Sequence, residues 1–296
     1  MDIVFLGTSS MVPTKERNHS SVFLKYQGEG ILFDCGEGTQ RQLKIAGVSP
    51  TEVTKLFISH WHGDHVLGIP GLIQTLAGSN YTKELEIYGP AGTKRRMEAM
   101  FEVFVFDKKI AMKAHDVKEG VIFKNAQYAV VAARLEHGIA CLGYLFKEED
   151  RRRMIVKELK KRGIPQGPLW GKLQRGETVI FNGGKIPPDE VSNIVEGKTV
   201  AYVVDTKPCR AAVELAKNAD LLICEATYAD ELEEKGGEYS HMTASQASDL
   251  GRRAGVKRLI LTHFSQRYKT TALLKEEAQK TFPGAECAYD FMKVRV

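Results

Sequence analysis

The segment His60-Trp61-His62-Gly63-Asp64-His65 puts four metal-ligand side chains within six residues. It follows directly on the apolar, β-like stretch Val53 to Ser59, which predicts a tight loop at a strand's carboxyl end. Asp64 and His65 are adjacent and cannot readily share one small ion with His60 and His62, so the spacing implies two neighbouring sites. Neutral imidazole and carboxylate are the donors that Zn²⁺ and similar borderline cations prefer. A lone histidine on an apolar face is usually a packed core residue. Four ligands in one short loop are not explained that way.

One loop leaves both sites incomplete, so further ligands are expected at other strand ends. His137 follows the apolar run Tyr128 to Leu135, Asp205 ends Ala201-Tyr202-Val203-Val204, and His263 ends Leu259-Ile260-Leu261-Thr262. Each is weak alone; three in one local context, beside the four-ligand loop, support each other. Other β-like runs include Ile3–Leu6, Val22–Tyr26, Ile31–Phe33, Glu86–Tyr88, Leu142–Phe146 and Leu221–Cys224, with helical patterns between and after them. The helix from Thr243 is the best marked: Thr243 as N-cap, Gln246 three residues on, Gly255 as the stop. Many strands interleaved with helices predict an α/β architecture of two sheets covered by helices.

At 296 residues, 43% hydrophobic and 27% charged, the chain has the composition of an ordinary globular protein. Its five cysteines (Cys35, Cys141, Cys209, Cys224, Cys287) form no C-x-x-C pair, which argues against a disulfide framework and a cysteine zinc knuckle. That usage suits a reducing cytoplasm. The opening Met1-Asp2-Ile3-Val4-Phe5-Leu6-Gly7 lacks the basic start of a signal peptide, and no apolar run reaches the ~20 residues of a membrane span.

The net charge of +5 is unevenly spread, with eight Lys/Arg against four Asp/Glu between Lys147 and Arg162. This stretch reads as charged and helix-prone, with a thin apolar stripe of Met154, Ile155 and Leu159, and runs into the Gly- and Pro-rich Gly163 to Gly171. With too few apolar residues for a core of its own, it is expected to be a flexible insertion over residues 147–176 of a single domain spanning 1–296. Such a basic run is usually a solvated face; an excess this local also suits a polyanionic partner.

Taken together, His-x-His-x-Asp-His with distant His, Asp and His resembles the metallo-β-lactamase fold, an αββα four-layer sandwich with its sites at one end. Within it the chain resembles the tRNA 3′-processing endoribonucleases of the ribonuclease Z family over nearly its whole length. Pro13-Thr14-Lys15-Glu16-Arg17-Asn18 is similar to that family's P-x-K-x-R-N loop, and Phe33 to Gln40 to its second glycine-rich turn. Glu225-Ala226-Thr227 falls on its His-Glu-Ala-Thr motif with Cys224 in place of the histidine. His241-Met242-Thr243 falls on His-Ser-Thr with Met242 in place of the serine, and Gly163 to Gly176 on its Gly-Pro-rich exosite arm.

The resemblance implies two Zn²⁺ per subunit, with Mn²⁺ or Fe²⁺ as alternatives. His60, His62 and His137 would hold one ion, Asp64, His65 and His263 the other, and Asp205 would bridge. It implies cleavage of precursor tRNA to a 3′-hydroxyl on the tRNA and a 5′-phosphate on the trailer. Asp64 would act on the nucleophile, and His241, kept cationic by Glu225, would protonate the leaving oxygen. Lys15 and Arg17 near the acceptor end, and Arg151, Arg152, Arg153, Lys157, Lys160, Lys161 and Arg162 on the arm, are the residues expected to bind RNA. In the family the arm of one subunit serves its partner, which implies a homodimer. Two other readings keep the fold: hydrolysis of a small phosphodiester, thioester, lactam or sulfate, which predicts no basic arm, and an RNA-binding scaffold with a dead site, which predicts eroded ligands.

Overall fold

The alternating apolar residues build two seven-stranded sheets. The first holds β1 (Asp2–Gly7), β2 (Ser21–Tyr26), β3 (Glu29–Phe33), β4 (Val53–Phe57), β5 (Glu84–Gly89), β6 (Ala111–Asp116) and, beyond β1, β18 (Lys293–Arg295). The second runs β17 (Glu286–Cys287), β16 (Leu259–Thr262), β15 (Leu221–Glu225), β14 (Thr199–Val203), β9 (Ala140–Glu148), β8 (Tyr128–Glu136) and β7 (Gly120–Lys124). These elements belong to a computed structural model that describes residues 1–105 and 110–296.

The larger of two units (1–123, 130–146 and 199–296) contains the sandwich. Strand alternation sends one set of side chains between the sheets, where Phe33 stacks on Phe57 and on Tyr202, and Phe57 meets Tyr144. The opposite faces carry helices. Leu6, Leu32, Leu56 and Ile87 pack under the helices Thr39–Ile45 and Ile69–Ala77, while Val203, Leu222, Cys224 and Leu261 pack under Arg210–Leu215, Ala244–Ala254 and Ala272–Thr281. The four layers are those of the αββα sandwich. β3 to β6 are parallel, as are β14 to β17. The loops after β4, β14, β15 and β16 therefore leave carboxyl ends of parallel strands, the edge where open α/β sheets bind ligands. The capping box at Thr243 and Gln246, and Gly255 in the left-handed conformation at the helix end, form as expected.

The smaller unit (124–129 and 147–198) differs from the expected insertion. It continues past Gly176 to Lys198 and has a core of Leu159, Ile164, Leu173, Val179, Ile186 and Val191. Half of that core lies beyond residue 176, outside the stretch whose composition looked too polar to pack. The helical reading of Lys147–Arg162 holds only for Val156–Lys161; Arg151–Met154 forms β10, antiparallel to β13 (Ser192–Val195). The hairpin β11 (Val179–Phe181) and β12 (Gly184–Ile186) completes the unit.

Candidate metal centre

Two donor sets converge where the carboxyl ends of both sheets meet. His60, His62, His137 and Asp205 form one, Asp64, His65, Asp205 and His263 the other, each with ligand atoms within 4.8 Å of one another. Asp205 belongs to both. Its Oδ2 lies 3.4 Å from Nε2 of His60 and 3.4 Å from Nε2 of His65, and its Oδ1 3.2 Å from Nε2 of His263. Oδ2 of Asp64 lies 3.4 Å from Nε2 of His65 and 3.5 Å from Nε2 of His263. All seven predicted ligands are brought together.

Four of the five imidazoles are oriented by a hydrogen-bond partner outside the ligand set. Nδ1 of His65 donates to Oδ2 of Asp34 at 2.8 Å, and Nδ1 of His137 to the Ser240 carbonyl at 3.2 Å. The Ser59 hydroxyl donates to Asp34 and so accepts from Nδ1 of His60; that of Thr227 donates to Glu225 and so accepts from Nδ1 of His263. The hydrogen-bond network thus assigns four tautomers with a bare Nε2 lone pair facing the centre. His60 Nε2 stands 3.0 Å from Nδ1 of His62, His62 Nδ1 3.2 Å from Nε2 of His137, and His65 Nε2 3.3 Å from Nε2 of His263. Such separations match the ~3.3 Å edge of a tetrahedron built on metal–nitrogen bonds of ~2.0–2.1 Å. Converging lone pairs repel unless a cation lies among them, and Oδ1 of Asp205 is buried with no hydrogen bond. The residues fit divalent metal.

Backbone conformation aims several of these groups. Asp34, Asp205 and His263 end β-structure at φ of 58°, 52° and 60°, a left-handed turn uncommon outside glycine that concentrates at functional sites. Gly36 is required for a different reason: a Cβ there would sit 2.6 Å from the Asp64 carbonyl and 2.5 Å from Cβ of His19. The glycine-rich turn can therefore lie against the ligand loop, with Cys35 N donating to the His65 carbonyl and Gly68 N to that of Cys35. Trp61 points away, packed with the outer core, its indole N–H on Thr93.

Glu225 is fully buried and accepts from the backbone amides of Thr206 and Met242, the Thr227 hydroxyl and Nδ1 of His241, the last at 3.0 Å. Burial works against charge on His241, but the Glu225 carboxylate outweighs it and raises the imidazole to about 9. Burial drives His60 the other way, well below its ordinary value, assisted by the neighbouring imidazoles. The two motif departures leave the site intact. Cys224 alternates with Glu225 on β15 and packs into the outer core; Met242 buries its side chain in that core and offers only its amide to Glu225.

The residues expected to bind RNA divide. Lys15, Arg151, Arg153, Lys157, Lys160, Lys161 and Arg162 are exposed; Arg152 pairs with Asp189 and Arg162 with Glu190. Arg17 is a correction. It is 7% exposed, and its guanidinium donates to the carbonyls of Ser265 and Tyr268 at 3.3 and 2.7 Å. A guanidinium spent on buried carbonyls braces a loop and is not displayed to RNA. Asp34 and Thr227 also belong to the site although neither was among the expected site residues; both lie inside the quoted motifs, and Asp34 carries the same signal as Asp205, an apolar run stopping on a carboxylate.

A sandwich with paired His/Asp sites at one edge is the arrangement of the metallo-β-lactamase superfamily, and the relatives of this chain make it a metal-dependent phosphodiester hydrolase. The family model described as "Beta-lactamase superfamily domain" matches residues 182–264, and that of "Anti-Pycsar protein Apyc1" residues 1–124. The chain belongs to the ribonuclease Z family. It is 43% identical over its whole length to the ribonuclease Z of Methanothermobacter thermautotrophicus, covering 97% of that protein. With that of Archaeoglobus fulgidus it shares 42% identity, over 99% of this chain and 97% of the relative. The crystal structure of human tRNase Z, short form, superposes with a TM-score of 0.73 at 28% identity, over 100% of this chain and 99% of that one.

Proposed function

We propose that this protein is a zinc-dependent endoribonuclease that removes the 3′ trailer from precursor tRNA, leaving a 3′-hydroxyl on the tRNA and a 5′-phosphate on the trailer. The observation that carries this reading is the pair of donor sets sharing Asp205, with the Glu225–His241 pair beside them. His60, His62 and His137 would hold one Zn²⁺ and Asp64, His65 and His263 the other; Mn²⁺ or Fe²⁺ would suit the same donors. When bound, two such ions supply a water acidified towards neutral pH and stabilise charge on phosphoryl oxygens.

The residues of the chain do the rest. Asp64 orients the attacking water towards the phosphorus, in line with the departing ribose 3′-oxygen. That oxygen leaves poorly as an anion, and His241, held cationic by Glu225, gives it a proton. Thr227 links Glu225 to His263, so proton donor and ligand set keep one geometry.

Affinity for the folded tRNA is assigned to Lys15 and to Arg151, Arg152, Arg153, Lys157, Lys160, Lys161 and Arg162, because such RNA is gripped through backbone and shape. The smaller unit would serve the active site of a second copy in a homodimer. A cytoplasmic setting is supported by five free cysteines, four of them buried. Among the described residues no helix is long and apolar enough to cross a membrane.

The test is incubation of purified protein with a 3′-extended tRNA transcript, with and without chelator, and mapping of both new ends. A chelator-sensitive cut giving a 3′-hydroxyl and a 5′-phosphate is expected. A 2′,3′-cyclic phosphate, or cleavage indifferent to chelator, overturns the reading.

A further inference from the structure

The cavity over the two donor sets has a volume of about 440 Å³, and its lining includes three large apolar side chains that no step of the chemistry uses: Met11, Leu67 and Tyr239. They come from three separate parts of the chain and are 79%, 58% and 53% exposed. Scattered exposed apolar residues are ordinary; three converging on the rim of a site of buried histidines and carboxylates are not.

The rim is built rather than loose. Nε2 of His19 donates to the Met11 carbonyl at 3.1 Å, the Ser9 hydroxyl to that of Val12 at 2.7 Å, and the Ser10 amide to that of Phe264 at 3.0 Å. The buried Arg17 guanidinium ties the same loop to Ser265 and Tyr268. These polar anchors hold an apolar tip out in solvent, an arrangement with no folding benefit. Leu67 ends the turn Gly63–Val66 that carries Asp64 and His65. Tyr239 precedes Ser240, whose carbonyl orients His137, and His241 follows. The rim is thus rigidly referenced to the reacting centre.

Cations accompany its rings. Nζ of Lys235 lies 5.9 Å from the ring centre of Tyr239, and the exposed Arg267 guanidinium 5.2 Å from that of Tyr228, another cavity residue. Aromatic and apolar faces interleaved with basic groups are what an unpaired nucleic-acid strand needs: stacking for the bases, charge for the phosphates. A small apolar substrate would call for enclosure, whereas these side chains line an open mouth.

We propose that Met11, Leu67 and Tyr239 form a stacking rim for the unpaired nucleobases on either side of the scissile phosphate, with Lys235 and Arg267 facing the neighbouring phosphates. Recognition there is of ring faces, so it tolerates any base but requires that one be present and unpaired. The inference rests on the reading of the site as one that cuts RNA. These residues position substrate and take no part in proton transfer.

The test is a cycle on a 3′-extended tRNA in which the two nucleotides flanking the cut are normal or abasic. Tyr239→Ala should lower kcat/KM roughly tenfold on the normal substrate, the scale of one lost base stack. Abasic nucleotides should cost the wild type at least as much, and the two changes together should cost no more than the abasic change alone. Tyr239→Phe, which keeps the ring, should stay within about twofold of wild type. Losses that multiply, a normal rate for Tyr239→Ala, or a Phe variant as poor as the Ala variant overturns the rim. Failure of the wild type to cut the normal precursor overturns the RNA reading itself, and so is distinct from the first three results.

Discussion

The metal edge of the larger unit and the surface of the smaller unit are built on opposite plans. At the metal edge most polar side chains are buried and held by another: Asp34 alone accepts from Ser59, His65 and Tyr202. In the smaller unit a core of six buried apolar residues carries basic side chains on its surface, Lys124, Arg152, Arg162 and Arg175 among them in ion pairs. The first plan fixes groups where charge develops, which favours chemistry. The second presents mobile charge, which favours affinity for a polyanion and makes it salt-sensitive. Mutations in the two regions should therefore fail in different ways.

The largest effect is expected at Asp205, where both donor sets meet. Asp205→Ala should lower metal content at both sites and slow cleavage by more than ~10³-fold, while His263→Ala should mainly empty one. Metal analysis that finds two ions retained in Asp205→Ala would break the bridging assignment. His241→Ala removes the proton donor without touching a ligand. Single-turnover cleavage should fall by roughly 10²–10⁴-fold with tRNA affinity little changed, and a wild-type rate would remove it from the mechanism.

A smaller loss tests orientation. Asp34→Asn keeps the size of the side chain but weakens the acceptor that sets the His65 tautomer, and should cost about 10–100-fold in metal affinity or activity. Metal titration at fixed pH reads this directly; unchanged affinity would mean Asp34 serves folding only. Replacing Arg151, Arg153, Lys157, Lys160 and Lys161 together by Ala should leave the chemical step alone and weaken tRNA binding. The slope of log affinity against log salt should shrink by about one for each phosphate that the variant no longer neutralises. A salt slope identical to wild type would reduce the basic run to a solvated face.

The same contrast explains what could be read from residues alone. Strand-end ligands are legible because an apolar run stopping on or just before His or Asp is a local pattern, and three of them, beside a four-ligand loop, support one another. Asp34 shows that pattern too, but its value lies in hydrogen bonds with Ser59, His65 and Tyr202, which only the folded sheets bring together. Arg17 misleads for a related reason: sequence does not separate an arginine in solvent from one spent on the carbonyls of Ser265 and Tyr268. In the smaller unit the apolar residues are spread thinly, and Val179, Ile186 and Val191 join Leu159, Ile164 and Leu173 only after the chain doubles back. Cys224 and Met242, which look like erosion of two motifs, prove to be packing residues whose side chains face the core.

The division of labour between the two regions is tested most directly by single-turnover cleavage of a 3′-extended tRNA over a range of enzyme concentrations, run in parallel for His241→Ala and for the five-fold basic variant. His241→Ala should lower the limiting rate at saturation and leave the half-saturating concentration near that of wild type. The basic variant should do the reverse, reaching the wild-type limiting rate at a concentration several-fold higher. A basic variant with a depressed limiting rate, or a His241→Ala protein that recovers the wild-type rate at saturation, would contradict the separation.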